Sequence, residues 1–478
     1  MVKFANCVFM AYLNGIDVKT PSVGQCGVLL QVEPFFVRVA LYDLKDGQKL
    51  SEDVHFDVNP ESIHSMIAGQ LKSTPSPPGN IDESSIPYGI DMQWLGQQRS
   101  NKAIFCINHP HDDVYIVARV EKVLHGSISN GQEPYTKSDG KAAAKFQKSI
   151  SSFCSHLGRY KMPFAWTARR LFQQMIGGCS GTANADKMTL YRQDASKLSD
   201  DELMRLVHDT KRPDKLARLQ IVPGASLSLK VKLSLEQTDF QHMITPSYLA
   251  VLPPPVGRRD LATTGGSGVG GLSIGATGCD EDPTPPNKSS PDCRPPLVRE
   301  VASFCASASV NDALPHDSLT HNLYVYPMSL KYDNQKHFAK ARNICVAVQL
   351  RFGDDASSRI LRNIYGQSGH CNNNAMFVDN VFTAVSHHDS TPCFYEEVKI
   401  ALPLDLTEQH HLLFTFYHIS VDAALKPNRS KDTSSESVIG YAFVPLIKVS
   451  RLHIHDVAVS VSADLPPGYL NCEGAGNK

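Results

Sequence analysis

The densest group of chemically capable residues is His109-Pro110-His111-Asp112-Asp113, two imidazoles and two carboxylates within five positions. A metal site needs three or four convergent ligands. Pro110 followed by two Asp more simply marks a turn between strands, so a turn is the preferred reading and no metal is expected. His387-His388 and His410-His411 are adjacent pairs, and a strand would split each pair across its two faces. His453 and His455 would share a face, but no third ligand is near. Gly266, Gly268 and Gly271 fit GxGxxG, yet the dinucleotide fingerprint needs a strand before it and a helix after it. Here it lies in low-complexity sequence and reads as linker. No GxSxG, HExxH or P-loop pattern occurs. Scattered Ser, His and Asp could still form a triad, because triad geometry is not sequential. Nothing points to one, so no catalytic residue and no cofactor are assigned.

Charge placement is more informative. Between Lys331 and Arg362 stand Lys331, Lys336, Lys340, Arg342, Arg351, Arg359 and Arg362, opposed only by Asp333, Asp354 and Asp355. The segment carries +4. Lys336, Lys340 and Arg342 crowd the connection into a strand, and Lys426, Arg429 and Lys431 lie in a second loop. If both loops emerge at one end of a sandwich, they form a basic mouth suited to a multiply phosphorylated lipid head group. Read from the residues alone, ordinary solvated loop charge remains the preferred account.

The elements that must position these loops are mostly strands. Ile344, Val346, Val348, Leu350 and Phe352 alternate with Asn343, Cys345, Ala347, Gln349 and Arg351, the period of a half-buried strand. Phe394 to Leu402, His411 to Ser420 and Val438 to Ile447 give further strands, with turn chemistry between them. About eight strands in roughly 150 residues predict an antiparallel sandwich. The N-terminal block alternates likewise through Phe35 to Tyr42 and Val114 to Val120, but adds helices. Phe146, Ile150, Phe153 and Leu157 form a helical stripe stopped at Gly158. Ser199-Asp200-Asp201-Glu202 is a capping box. The fold class is therefore mainly β. A β-rich, sandwich-like block with a few helices (25–250) precedes a flexible Pro/Gly/Ser-rich linker (252–318) and a C-terminal sandwich (321–475).

The 478 residues carry 47 Lys plus Arg against 48 Asp plus Glu, a net charge of −1. A dedicated nucleic-acid binder would need a cationic surplus, so nucleic acid is not an expected partner. No apolar run is long enough to span a bilayer. Asn6 and Asn14 interrupt the short apolar run at the N-terminus, which argues against a signal peptide. Twelve Cys are scattered without any CxxC pair, which suggests free thiols in a reducing, cytoplasmic compartment rather than a disulfide framework.

Several segments resemble the dedicator of cytokinesis (DOCK) family, in its zizimin and Zir-like branches. In the C-terminal block these are His321-Asn322-Leu323-Tyr324-Val325-Tyr326-Pro327, Phe338 to Ile344, Phe394-Tyr395-Glu396-Glu397-Val398 to Pro403, His410 to His418, and Val438 to Leu446. In the first block they are Glu33-Pro34-Phe35-Phe36, Leu50-Ser51-Glu52-Asp53, Glu121-Lys122-Val123-Leu124 and Tyr160 to Ala168. The resemblance implies that the C-terminal sandwich is a C2 domain, the DOCK homology region 1, which carries family members to membranes. It implies phosphoinositide binding through basic loops, onto which Lys336 and Lys340 fall, with Arg342 beside them. It also implies a guanine nucleotide exchange factor for Rho-family GTPases, linked to the cytoskeleton. The exchange region of the family lies C-terminal to this block, so no exchange residue is carried over. Asp354-Asp355, Asp422 and Asp432 are too few and too dispersed for a calcium-dependent C2 domain. The expected role is membrane targeting and scaffolding by a cytoplasmic protein recruited to anionic phospholipids. The alternative is a protein–protein interaction module that uses a sheet edge or an aromatic surface.

Overall fold

The computed structural model describes residues 7–17, 33–67, 102–107, 110–136, 140–172, 186–194, 198–233, 321–331, 342–355, 358–367, 377–389, 391–422, 435–448, 451–452 and 456–471. The 252–318 linker lies outside them. The first block is one continuous nine-stranded antiparallel sheet. Its strands are β1 (Cys7–Asp17), β2 (Phe35–Asp43), β3 (Gln48–Lys49), β4 (Val54–Asp57), β5 (Lys102–Ile107), β6 (Val114–Val123), β7 (Lys161–Arg170), β8 (Asp186–Arg192) and β9 (Ile221–Leu233). Their order is β3-β2-β6-β7-β8-β9-β1-β5, with β4 also on β2. The sheet thus extends beyond the 25–250 span read from the sequence, because Cys7–Asp17 pairs with both β9 and β5.

Alternation in β2 and β6 predicts one buried and one wet face, but every residue of both strands is buried. After β4 comes a short helix, α1 (Glu61–Ile67), and layers lie on both sides of the sheet. On one side, Phe35 packs against Tyr135 of α2 (Ile128–Thr136) and Phe164, and Tyr135 packs on Phe146 of α3 (Gly140–Leu157). The predicted stripe of Phe146, Ile150, Phe153 and Leu157 is buried. Gly158 follows it at a close approach, since a Cβ there would sit 2.5 Å from the Cys154 carbonyl. On the other side, Tyr42, Tyr115, Val117 and Trp166 pack against Leu203 and Val207 of α4 (Asp200–Asp209). That helix starts with the predicted capping box of Ser199 and Glu202.

The second block is a two-sheet sandwich. One sheet holds β10 (Asn322–Val325), β13 (Ile364–Tyr365), β14 (Phe377–Val378) and β16 (Val398–Ala401). The other holds β11 (Ile344–Phe352), β12 (Arg359–Leu361), β15 (Val381–Phe382), β17 (His410–Ile419) and β18 (Glu436–Pro445). Ile344, Val346, Val348 and Leu350 fill the core with Val398, Ile400, Leu412 and Ala442, as the alternation requires. The opposite face of β11 is not simply wet: Cys345 and Ala347 are also buried. Phe382 folds over that face onto Tyr417 and meets Tyr160 of the first block. A backbone bond from Val385 N to Lys161 O, 2.8 Å, joins the blocks there. The described residues of both blocks form one compact unit.

Candidate functional site

The antiparallel register decides which loops meet. Ile344 opens β11 opposite His418, near the end of β17, and Ile419 faces Glu436 at the start of β18. The chain entering β11 and the chain passing from β17 to β18 therefore have their stems at one end of the sandwich. Asn343 ties them together. Its backbone oxygen accepts from Ile419 N (2.9 Å), its side-chain amide donates to Ile419 O (3.0 Å), and its Oδ1 accepts from His388 N (3.1 Å). Ser420 N donates to Ser435 O, 2.8 Å. Of the six candidate lipid-binding residues, Arg342 lies on this stem and is exposed. Lys336, Lys340, Lys426, Arg429 and Lys431 lie outside the described residues. Lys331 is exposed beside Leu330, which bonds the turn at Pro392.

The +4 segment does not act as one patch. Arg351 and Arg359 are at the far end of β11, where Arg359 pairs with Phe352 and stacks over its ring at 5.3 Å. Eight strand steps, about 26 Å, separate Ile344 from Phe352. Arg362 donates Nε to Phe377 O.

The histidine motifs resolve individually. In the predicted turn, Val114 N bonds His111 O, and His111 Nε2 lies 2.9 Å from Asp43 Oδ2. Asp113 pairs with Lys211 at 2.7 Å. His109, His453 and His455 lie outside the described residues, among which no group of three potential ligands stands ready for a metal. His410 and His411 do separate along β17: the first meets Phe352, the second the Tyr469 hydroxyl. His387 and His388 do not separate. His388 has φ +56°, so the pair sits in a turn rather than a strand, and its rings stack at 5.3 Å and 21°. The free thiols of Cys154 and Cys345 are pushed well up by burial, Cys154 to about 12, and are unreactive.

A second charged cluster was not anticipated. From the first block come Arg38, Lys49, Glu52 and Asp53; from the sandwich, Tyr324, Tyr326, Glu396, Glu397 and Lys399. Lys399 Nζ is 3.0 Å from Glu52, which also accepts from the Tyr324 hydroxyl. Glu397 takes Lys49 Nζ (3.2 Å), the Asp53 backbone N–H (2.8 Å) and the Tyr326 hydroxyl (2.9 Å). Asp53 also binds Lys49 and Arg38, at 2.9 and 3.2 Å. Burial would raise the Asp53 carboxyl, but Lys49 and Arg38 overcome it and hold the group well below the usual carboxylate range. Glu396 accepts from the Ala384 amide and is drawn down by Arg38 and Lys161, but these do not prevail. Burial, then repulsion from Glu121, pushes it up to about 7. It lines a small polar cavity of about 30 Å³ with Arg38, Glu121, Gln193 and Ser386, room for about one water. The signal was present but unread, since Leu50-Ser51-Glu52-Asp53 and Phe394-Tyr395-Glu396-Glu397, singled out separately above, are the two halves of this contact.

A third feature is a groove of about 520 Å³ on the outer face of the five-stranded sheet, lined by Gln349, Arg351, Thr415, Tyr417, Tyr441 and Asp464 among others. Among the described residues, no helix is long and apolar enough to cross a membrane.

Comparison with known proteins agrees with this architecture. Residues 316–478 match the family described as the C2 domain in Dock180 and Zizimin proteins. The chain is 36% identical to human dedicator of cytokinesis protein 9 over 456 residues, covering 94% of this chain and 20% of the relative. Zebrafish dedicator of cytokinesis protein 11 is also 36% identical over 456 residues, covering 93% and 20%. Human dedicator of cytokinesis protein 8 is 30% identical over 494 residues, covering 92% and 20%. The chain spans about a fifth of the length of these curated relatives. Across both blocks, then, this chain is similar to a stretch of the zizimin-like dedicator of cytokinesis proteins, and its residues 316–478 to their C2 domain.

Proposed function

We propose that this chain is the membrane-targeting and scaffolding part of a guanine nucleotide exchange factor for Rho-family GTPases, and that its C2 domain binds anionic phosphoinositides. The observation that carries this reading is the shared end of the sandwich. The stems of both basic loops stand side by side there, with Arg342 exposed on one of them. Cations brought to one surface attract a multiply charged head group more strongly than the same cations dispersed. The first block serves as the scaffold that orients this end, through the buried charges joining it to β10 and β16. Exchange chemistry is assigned to none of the residues described here.

The test is co-sedimentation of the intact chain with phosphatidylcholine vesicles, with and without phosphoinositide, against Lys336→Ala/Lys340→Ala. Binding that requires phosphoinositide, weakens with salt and disappears in the variant is expected. Equal binding by both proteins, or none by either, overturns the site. The outer-sheet groove, with its two tyrosines and opposed Arg351 and Asp464, would then favour a protein-partner module.

A further inference from the structure

The stems of the basic end are held by a third segment, the turn Ser386 to Asp389. Asp389 N donates to Arg342 O (3.0 Å), and Ile344 and Ser386 exchange backbone bonds. Between these anchors stands the stacked pair of His387 and His388. His388 is exposed and held at φ +56°, a conformation that costs a non-glycine residue energy and persists where surrounding bonds enforce it. His387 is half-buried against the first block: a Cβ on Gly126 would lie 3.9 Å from its Nε2.

We infer that His387 and His388, with Arg342, form a proton-coupled binding site for a phosphate monoester, so that this end of the C2 domain grips a phosphorylated head group more tightly as pH falls. The inference rests on the membrane reading above and deepens it. Burial, then the neighbouring ring, holds the His387 imidazole below its ordinary value. A dianion set against the pair offsets that depression. The His387 imidazolium then donates a charge-assisted hydrogen bond, its proton coming from solvent, and His388 adds a ring N–H beside it. A phosphate monoester suits the task because its second pKa is about 6, leaving it largely dianionic near neutrality. The surrounding charges permit this. Arg342 adds a cation from the β11 stem, and His418 lies beneath Asn343 on β17. Glu436 opens β18 opposite Ile419. Asp389, the nearest acid, has its oxygens bonded to Ser386 Oγ and Thr391 N, both at 3.0 Å. The first block brings the uncharged Gly126 and Asn130.

The test compares binding at pH 6 and pH 7.5 to phosphatidylcholine vesicles containing phosphatidylinositol trisphosphate. Control vesicles contain phosphatidylserine at matched surface charge. Uptake of one proton predicts binding about five- to thirty-fold tighter at the lower pH. The enhancement should appear with the phosphoinositide and with its soluble inositol polyphosphate head group, but not with phosphatidylserine. His387→Asn/His388→Asn should bind equally at both pH values; Asn tolerates the left-handed backbone at position 388. His388→Asn alone, at an exposed position, should lose part of the enhancement. Enhancement that survives in the double variant, or that phosphatidylserine reproduces, overturns the histidine site while leaving the membrane reading intact. Absence of binding to every vesicle and to the soluble head group overturns both.

Discussion

Lys399 and Arg342 are cations of the same sandwich in opposite surroundings. Lys399 lies against Glu52 of the other block at 3.0 Å, stacked over the Tyr365 ring at 4.6 Å. Arg342 stands exposed on a loop stem, where its backbone does the holding. The first kind of charge is committed to structure: it is desolvated, matched and fixed in place. The second remains available to a ligand. Within one C2 domain, charge alone does not separate committed cations from exposed ones, and the net charge of residues 331–362 mixes stem cations with others about 26 Å away. The buried pair of Lys122 and Glu33 makes the same point inside the first block. Lys122 is ringed by Tyr135 and Phe146, donates to Gly131 O, and has no route to solvent.

The contrast predicts effects of descending size. The largest comes from the buried side. Glu397→Ala leaves Lys49, the Asp53 amide and the Tyr326 hydroxyl without their shared acceptor, and should cost about 3 to 5 kcal/mol in urea unfolding of the chain. A loss below about 1 kcal/mol would mean that the interface contributes little to the fold.

The next is a pH effect. The Glu396 pKa is raised from 4.5 to about 7 in the folded protein, so folding favours its protonated form. Its contribution to stability is fully present below 4.5 and is lost as pH rises through about 7, a change of up to roughly 3 kcal/mol. Stability should therefore increase as pH falls from 8 to 5. Glu396→Gln should flatten that slope and raise stability at pH 8. Asp53 acts in the opposite sense at lower pH, because its depressed pKa makes its contribution vanish in acid. An unchanged slope in Glu396→Gln would assign the pH dependence to other groups.

The smallest stability effect belongs to Arg342→Ala, expected within about 0.5 kcal/mol of the parent in the same unfolding assay. Under the proposed membrane reading, its vesicle binding should nevertheless fall several-fold. A destabilisation comparable to that of Glu397→Ala would erase the distinction between the two kinds of charge.

Much of the fold could be read in advance, because alternation is local. Ile344 to Leu350 face the core as their spacing requires, and Ser199 caps α4 as its neighbours require. What covers the second face of a strand is not local. Phe36 and Arg38 alternate with Phe35 and Val37, and Cys345 with Ile344 and Val346, yet both faces are buried, because a helix layer or the other block lies over the second one. The stacked histidines escaped notice for a similar reason. Adjacent side chains diverge in a strand, but the pair sits in a turn with a positive φ at His388, whose N–H is held by Asn343, 45 residues away.

The sequence by itself determined the strand periods, the helix stripe and cap, the sandwich class and the motifs that mark the family, all products of short-range sterics and hydrophobic spacing. Only the tertiary structure decided which charges are spent and which are free. Asp53 and Glu397 are 344 residues apart and meet only because two sheets pack together. Removing both partners from water together makes their attraction strong and their isolation costly. Arg342 escapes that commitment because the antiparallel register places it at an open end of the sandwich.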